Sequence, residues 1–185
     1  MADLAISGYT VEDLDWLRDA IGVAHLELDP WGSLIVSPAT DEHEVTQSEL
    51  VVHAANQLRA AGCRVVASMP WSVPGGTGYY IIADVTVLAA DWRRVGEFGM
   101  APPPLLVVEI ASPSTRRVDR GRKLAEYRAG GAGLYLLVDL PAAFEGHDFA
   151  TDKVTKAIGE IDLMVGGHPV RFSLPPRTGT GQAQA

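Results

Sequence analysis

The sequence predicts one α/β domain, a sheet with helices packed on it, and three observations lead there. The stretches 105–110 and 134–138 are near-continuous apolar runs, the pattern of strands buried on both faces. Leu50, Val51, Ala54, Ala55 and Leu58 fall at helical spacing. Strand and helix patterns alternate along the chain without an internal repeat, which argues against separate all-α and all-β units.

Taken in order, Thr10-Val-Glu-Asp13 has the form of a capping box and opens a helix that runs to about Ala20. Residues 25–29 and 33–37 flank Pro30-Trp31-Gly32 and read as a hairpin. The helical spacing predicts a second helix over 46–61, ended by Gly62. Short strands follow at 64–68 and 71–73, interrupted by Pro70. Gly75-Gly76-Thr77-Gly78 is a hairpin turn rather than a phosphate cradle, because no helix follows it. It leads into a strand over 79–88 with Asp84 near its middle. Residues 89–104 read as an irregular loop ending in three prolines, then come a strand over 105–111, a helix over 118–129 stopped by Gly130-Gly131, and a strand over 134–139. A terminal hairpin is expected at 161–165 and 169–174 around Gly166-Gly167. The domain is expected to span 1–174, with 175–185 a disordered polar tail.

At 185 residues the chain can bury a core without staples, and its 47% hydrophobic and 21% charged content is that of a soluble globular protein. A single cysteine, Cys63, excludes an internal disulfide, and neither a secretory signal nor an apolar run of spanning length is visible. A cytoplasmic protein is expected. The net charge of −8 argues against a broad basic surface for duplex nucleic acid, though not against a local basic groove.

Two apolar strands each carry one acid: Asp84 within Ile-Ile-Ala-Asp-Val-Thr-Val-Leu and Glu109 within Leu-Leu-Val-Val-Glu-Ile-Ala-Ser. Buried carboxylates need a partner, and two of them on neighbouring strands would repel unless a divalent cation lay between them. The alternative, that each acid faces solvent or an arginine, stays open on pattern alone. Asp119 and Lys123 are spaced i, i+4 and share a helix face with Tyr127, an arrangement that on spacing alone a surface ion pair explains better than a functional role. No zinc spacing, nucleophile elbow or zincin motif occurs.

The stretch Glu109-Ile-Ala-Ser-Pro-Ser-Thr-Arg-Arg-Val-Asp119-Arg-Gly-Arg-Lys123-Leu-Ala-Glu-Tyr127, continuing through Gly130, Tyr135 and Asp139, resembles the PD-(D/E)XK nuclease superfamily and, within it, the bacterial Uma-two family of restriction endonucleases. Ala-Asp84-Val corresponds to the superfamily's Pro-Asp motif, with Ala83 in place of the proline, and His43 matches a frequent family histidine placed ahead of the helix. Leu136 stands where the family often has tryptophan. The resemblance covers about residues 25 to 175.

It implies a restriction-endonuclease-like central mixed sheet flanked by helices, and a Mg²⁺-dependent endonuclease hydrolysing phosphodiester bonds of DNA, with Mn²⁺ as substitute. Asp84, Glu109 and Lys123 would be catalytic. The metal ligands would be Asp84, Glu109 and the backbone carbonyl of Ile110; Glu27 is either an additional acid reaching the ion through water or an ordinary strand glutamate. His43, Asp119 and Tyr127 would support the site. Independently of the resemblance, Arg116, Arg117, Arg120 and Arg122 cluster beside Lys123 and read either as a phosphate-gripping rim or as a solvated helix face. The superfamily usually places its lysine two residues after the glutamate, where this chain has Ala111; the resemblance implies that Lys123 on the helix takes over. A homodimer is expected. The rival reading is a catalytically idle nuclease-fold protein that binds nucleic acid or a protein partner, which the acidic net charge favours. Nothing in the sequence separates DNA from RNA as substrate.

Overall fold

The computed structural model describes residues 26–28, 34–36, 40–72, 80–96, 98–112 and 115–174. The expected helix at 10–20, the turns at 30–32 and 75–78 and the tail at 175–185 lie outside them.

In chain order the elements are β1 (Leu26–Leu28), β2 (Leu34–Val36), α1 (Asp41–Leu58) with a 3-10 turn (Arg59–Ala61), β3 (Arg64–Trp71), β4 (Ile81–Leu88), β5 (Arg93–Val95) and β6 (Gly99–Ala101). They continue with β7 (Leu106–Ala111), a crossover of α2 (Arg116–Val118), a π-helical turn (Asp119–Lys123) and α3 (Leu124–Ala129), then β8 (Leu134–Asp139), β9 (Ala143–Asp148), β10 (Lys153–Ile158), β11 (Glu160–Val165) and β12 (His168–Ser173). The central sheet is six-stranded in the order β10-β9-β8-β7-β4-β3. Only β7 and β8 are parallel among its neighbours, joined by the helical crossover that a parallel pair requires. The sheet is therefore mixed and the fold α/β.

Several expected boundaries move. Helix α1 begins at Asp41, five residues before the hydrophobic spacing suggests, because Thr40 Oγ1 caps it by accepting from His43 N–H and because Asp41, Glu42 and Glu44 suit the positive end of a helix. His43 therefore lies inside the first turn, not ahead of the helix. Strand β3 runs unbroken through Pro70, which its place at the sheet edge allows. The expected irregular stretch 89–104 contains the small β5–β6 hairpin, and β9 and β10 appear where no strand was expected.

Alternation along the strands divides the core in two. Leu106, Val108 and Ile110 of β7, with Leu136 and Val138 of β8, pack toward Leu50, Ala54 and Leu58 of α1 and Phe172 of β12. The opposite face gathers Val107 and Ala111 of β7, Tyr135 and Leu137 of β8, Trp71 and Tyr127. Glu109 lies between Val107 and Ala111 on this second face, under the crossover helix.

Candidate active site

The site begins where the central sheet stops being regular. Strands β4 and β7 pair as Val85↔Val108, Thr86↔Val107 and Val87↔Leu106, and the next positions in that register would set Asp84 opposite Glu109. The pairing ends there. Instead the Ile110 N–H donates to Asp84 Oδ2 at 2.7 Å, so a side-chain oxygen takes the place of a ladder acceptor and holds the strands apart. In a strand the N–H and C=O of one residue face the same neighbour, so the Ile110 carbonyl faces this gap too.

The other edge of β4 is interrupted at the same residue. The β3–β4 pairs skip from Ala67↔Val85 to Met69↔Ala83, leaving Ser68 opposite Asp84 in a left-handed conformation with φ 49°. Gln47 of α1 fills this break, donating from Nε2 to the Asp84 carbonyl at 2.7 Å and to Ser68 Oγ at 3.0 Å. One helical turn earlier, His43 Nε2 lies 3.2 Å from Asp84 Oδ2. Helix α1 thus grips Asp84 by its carboxylate and its carbonyl, from positions i and i+4 on one helix face.

Glu109 receives its partners from the crossover. Lys123 Nζ donates to Glu109 Oε2 at 3.1 Å and to Glu27 Oε1 at 2.8 Å, while Tyr127 Oη donates to Glu109 Oε1 at 2.5 Å. Glu27 Oε1 also accepts from Ile82 N–H at 3.0 Å. Lys123 ends the π-helical turn, and the Tyr135 hydroxyl donates at 3.0 Å to the carbonyl of Asp119 at its start. Such wide turns recur at functional sites because they re-aim side chains. Asp84, Glu109, Lys123, Glu27, Asp119 and Tyr127 are all buried, and hydrogen bonds join Glu27, Lys123, Glu109 and Tyr127 into one group.

The two strand carboxylates feel opposite environments. Burial works to raise the Asp84 pKa, but His43, Lys123 and the Ile110 N–H outweigh it and hold Asp84 below the ordinary 3.8. Burial pushes Glu109 well above its ordinary value; Lys123 offsets this only in part, and Asp84, Asp119 and Glu27 add to it. Asp119 is raised by burial to about 6 despite Lys123 and Thr115. Burial opposes the Lys123 charge, yet Glu109, Glu27, Asp84 and Asp119 together drive its pKa upward. For His43, burial is outweighed by Asp84, and its pKa rises above 6.5.

Four buried carboxylates therefore share one buried ammonium, with His43 beside them. Among the described residues no group of three or more His, Cys, Asp or Glu side chains is placed to hold a metal ion. Mg²⁺ binds through one or two carboxylates and keeps several waters. Asp84, Glu109 and the Ile110 carbonyl are a hard-oxygen set of that kind, and the surplus negative charge fits a divalent cation.

The four arginines do not form one open rim. Arg116 and Arg120 both bind Asp139, at 2.5 and 3.0 Å, and Arg120 Nε also lies 3.6 Å from Glu145. Arg122 turns toward Glu126 and Glu27 at 3.6 and 3.9 Å, and its Nε and Nη2 are buried without a hydrogen-bond partner among the described residues. Arg117 is exposed. Sequence reasoning missed Gln47, Asp139 as the anchor of two arginines, and Glu145. Only Gln47 had a signal, its i+4 spacing from His43, and the misplaced start of α1 hid it.

Four solved chains match the structure. The match described comes from Anabaena variabilis ATCC 29413, a crystal structure of "a putative nuclease belonging to DUF820". It shares 16% sequence identity, with a TM-score of 0.57 over 71% of this chain and 75% of that one, and so supports the fold. No curated protein matches. The family model Uma2, described as "Putative restriction endonuclease", matches residues 23–143, well over half of the chain. With Asp84, Glu109 and Lys123 gathered at one break in the sheet of a nuclease fold, the chain belongs to the Uma2 family.

Proposed function

We propose that this protein is a Mg²⁺-dependent endonuclease that hydrolyses phosphodiester bonds of DNA, with Mn²⁺ able to substitute, and that it works as a homodimer. The observation that carries the reading is the break between β4 and β7, where Asp84 and Glu109 take opposing positions and Lys123 binds Glu109. Asp84, Glu109 and the Ile110 carbonyl would hold the ion. When bound, it supplies Lewis-acid stabilisation of the charge building on the phosphate and makes water a better nucleophile.

The chain's own groups prepare that chemistry. His43 and the Ile110 N–H keep Asp84 ionised and aimed. Tyr127 fixes the rotation of the Glu109 carboxylate. Lys123 orients the attacking water or neutralises charge on the phosphate in the transition state. Exposed Arg117 is the arginine best placed for phosphate contacts, since Arg116 and Arg120 are held by Asp139 and Arg122 faces Glu126 and Glu27.

A second reading draws on a specific observation. Lys123 ties Glu27 to Glu109, so a closed ion-pair network could leave the fold as an idle module that binds nucleic acid or a protein partner. Plasmid and single-stranded DNA cleavage, with Mg²⁺ or Mn²⁺ and beside Asp84→Ala and Glu109→Ala, separates the two. Metal-dependent nicking lost in both variants is the expected result. Protein that binds DNA but never cuts it, with either ion, would favour the idle module.

A further inference from the structure

Resting on the metal-dependent reading above, we infer that Glu27 acts on the metal site through Lys123 rather than as a ligand: it is the carboxylate on which Lys123 stays when a divalent cation takes Glu109.

The donor geometry argues for this assignment. Both Glu109 oxygens are engaged, Oε1 by the Tyr127 hydroxyl and Oε2 by Lys123 Nζ at 3.1 Å. An ion binding Glu109 through Oε2 competes with the ammonium for that atom. Lys123 does not have to leave the site to yield it, because its shorter contact, 2.8 Å, is to Glu27 Oε1. Glu27 is itself poorly suited to ligate. Its Oε1 already accepts from Lys123 and from the Ile82 N–H at 3.0 Å, and the Arg122 guanidinium lies 3.9 Å from its Oε2. A carboxylate flanked by two side-chain cations and a backbone donor is the anchor of a positive charge, and its position 5% exposed keeps that anchor out of water.

The exchange has an electrostatic reason. Glu27, Asp84, Glu109 and Asp119 outnumber Lys123 even with Arg122 beside Glu27 and His43 beside Asp84. A second cation relieves that excess only if the first is not expelled, since Glu27 would then be left buried without its closest cation. The Ile82 N–H and Arg122 keep Glu27 in place to receive the whole of Lys123's hydrogen bonding. Lys123 and the ion are thus competitors for Glu109 and neighbours afterwards. Glu27 is a positioning residue for Lys123.

The test is a double-mutant cycle on Mn²⁺ affinity, read by calorimetry and by the paramagnetic signal of free Mn²⁺, with no DNA present. Lys123→Met should tighten Mn²⁺ binding by about tenfold, an ordinary size for coupling between two bound charges. Glu27→Gln should weaken binding in the native background, because Lys123 then has only Glu109 to hold. In the Lys123→Met background the same Glu27→Gln change should have no effect on affinity. An equal loss in both backgrounds would make Glu27 a direct ligand and overturn the inference.

Titrating the native protein with Mg²⁺ while following the Lys123 ammonium by ¹⁵N NMR supplies a readout that does not depend on the variants folding. The protected ammonium signal should shift and persist. A signal that does not move, although calorimetry shows Mg²⁺ binding to the native protein, would overturn the inference and leave metal binding standing. No Mn²⁺ or Mg²⁺ binding in any variant would remove the metal-dependent reading itself, and this inference with it.

Discussion

Asp119 offers the clearest test of how the buried charges balance. It is 2% exposed, and its Oδ2 has no hydrogen-bond partner among the described residues. Burial, only partly offset by Lys123 and Thr115, raises its pKa from 3.8 to about 6. An acid whose pKa is higher folded than unfolded binds more protons in the folded state, so its contribution to stability falls as pH rises from about 4 through about 6. A rise of this size corresponds to about 3 kcal/mol once both states are ionised. Asp119→Asn keeps the shape and removes the ionisation. The variant should match the native protein at pH 4 and exceed its stability by up to about 3 kcal/mol at pH 8. Urea denaturation across that pH range measures the difference, which corresponds to a melting shift of about 6–12 °C in a domain of this size. Glu109 is also raised, in part by Asp119, so the difference between the two curves reports Asp119 together with the share of the Glu109 shift that the Asp119 charge causes, and both have the same sign. Equal or lower stability of Asp119→Asn at pH 8 would refute the reasoning, because Lys123 would then gain more from the charge than burial costs.

Tyr127→Phe removes the hydroxyl that donates to Glu109 while keeping the ring stacked on Trp71 and Tyr135; loss of a buried bond to a charged group should cost about 1.5–3 kcal/mol in chemical denaturation. Gly130→Ala places a Cβ 2.4 Å from Cη2 of Trp71, a ring 2% exposed with no room to move, so a loss of about 1–3 kcal/mol and a red-shifted tryptophan emission are expected. Gln47→Leu leaves the Asp84 carbonyl and Ser68 Oγ without their shared donor; stability should fall by about 0.5–1.5 kcal/mol, and hydrogen exchange should quicken in β4 around Asp84 while β8 stays protected.

What was legible in the sequence follows from where side chains go. Strands β7 and β8 were plain because both of their faces are covered, so every residue had to be apolar except those with a task. For the same reason Glu109 stood out, and so did Asp84 in fully buried β4. Strands β9 and β10 were not legible. Ala-Phe-Glu-Gly-His-Asp places Glu145 and His147 in an ion network, and Gly146 is small because an added Cβ would lie 3.0 Å from Leu163. Lys-Val-Thr-Lys-Ala-Ile is an edge strand whose lysines face water, and exposed Val154 and Ile158 give it no buried stripe to read. Of the site, the acids and Lys123 were visible as residue types in a spacing. Gln47 was not, because its role exists only once β3 and β4 fail to pair at Ser68 and Asp84, and no local pattern announces that failure.

The expectation that a lysine on the helix takes the place of one at position 111 can be argued in the same terms. Position 111 follows Glu109 by two residues, so a side chain there leaves β7 on the same face as the glutamate. In this chain that face is closed: Ala111 is 1% exposed and packs with Val107, Tyr127, Tyr135 and Leu137. A lysine at 111 would have to displace the aromatic rings that carry Tyr127's hydroxyl to Glu109 and Tyr135's hydroxyl to the Asp119 carbonyl. Those same rings support the crossover helix, and the helix returns the positive charge from above through Lys123. Tyrosine packing and lysine placement are therefore one arrangement: the small residue on the strand makes room for the rings, and the rings hold the turn that delivers the ammonium. Exchanging Lys123 for a lysine at position 111 would therefore lose the support for Glu109.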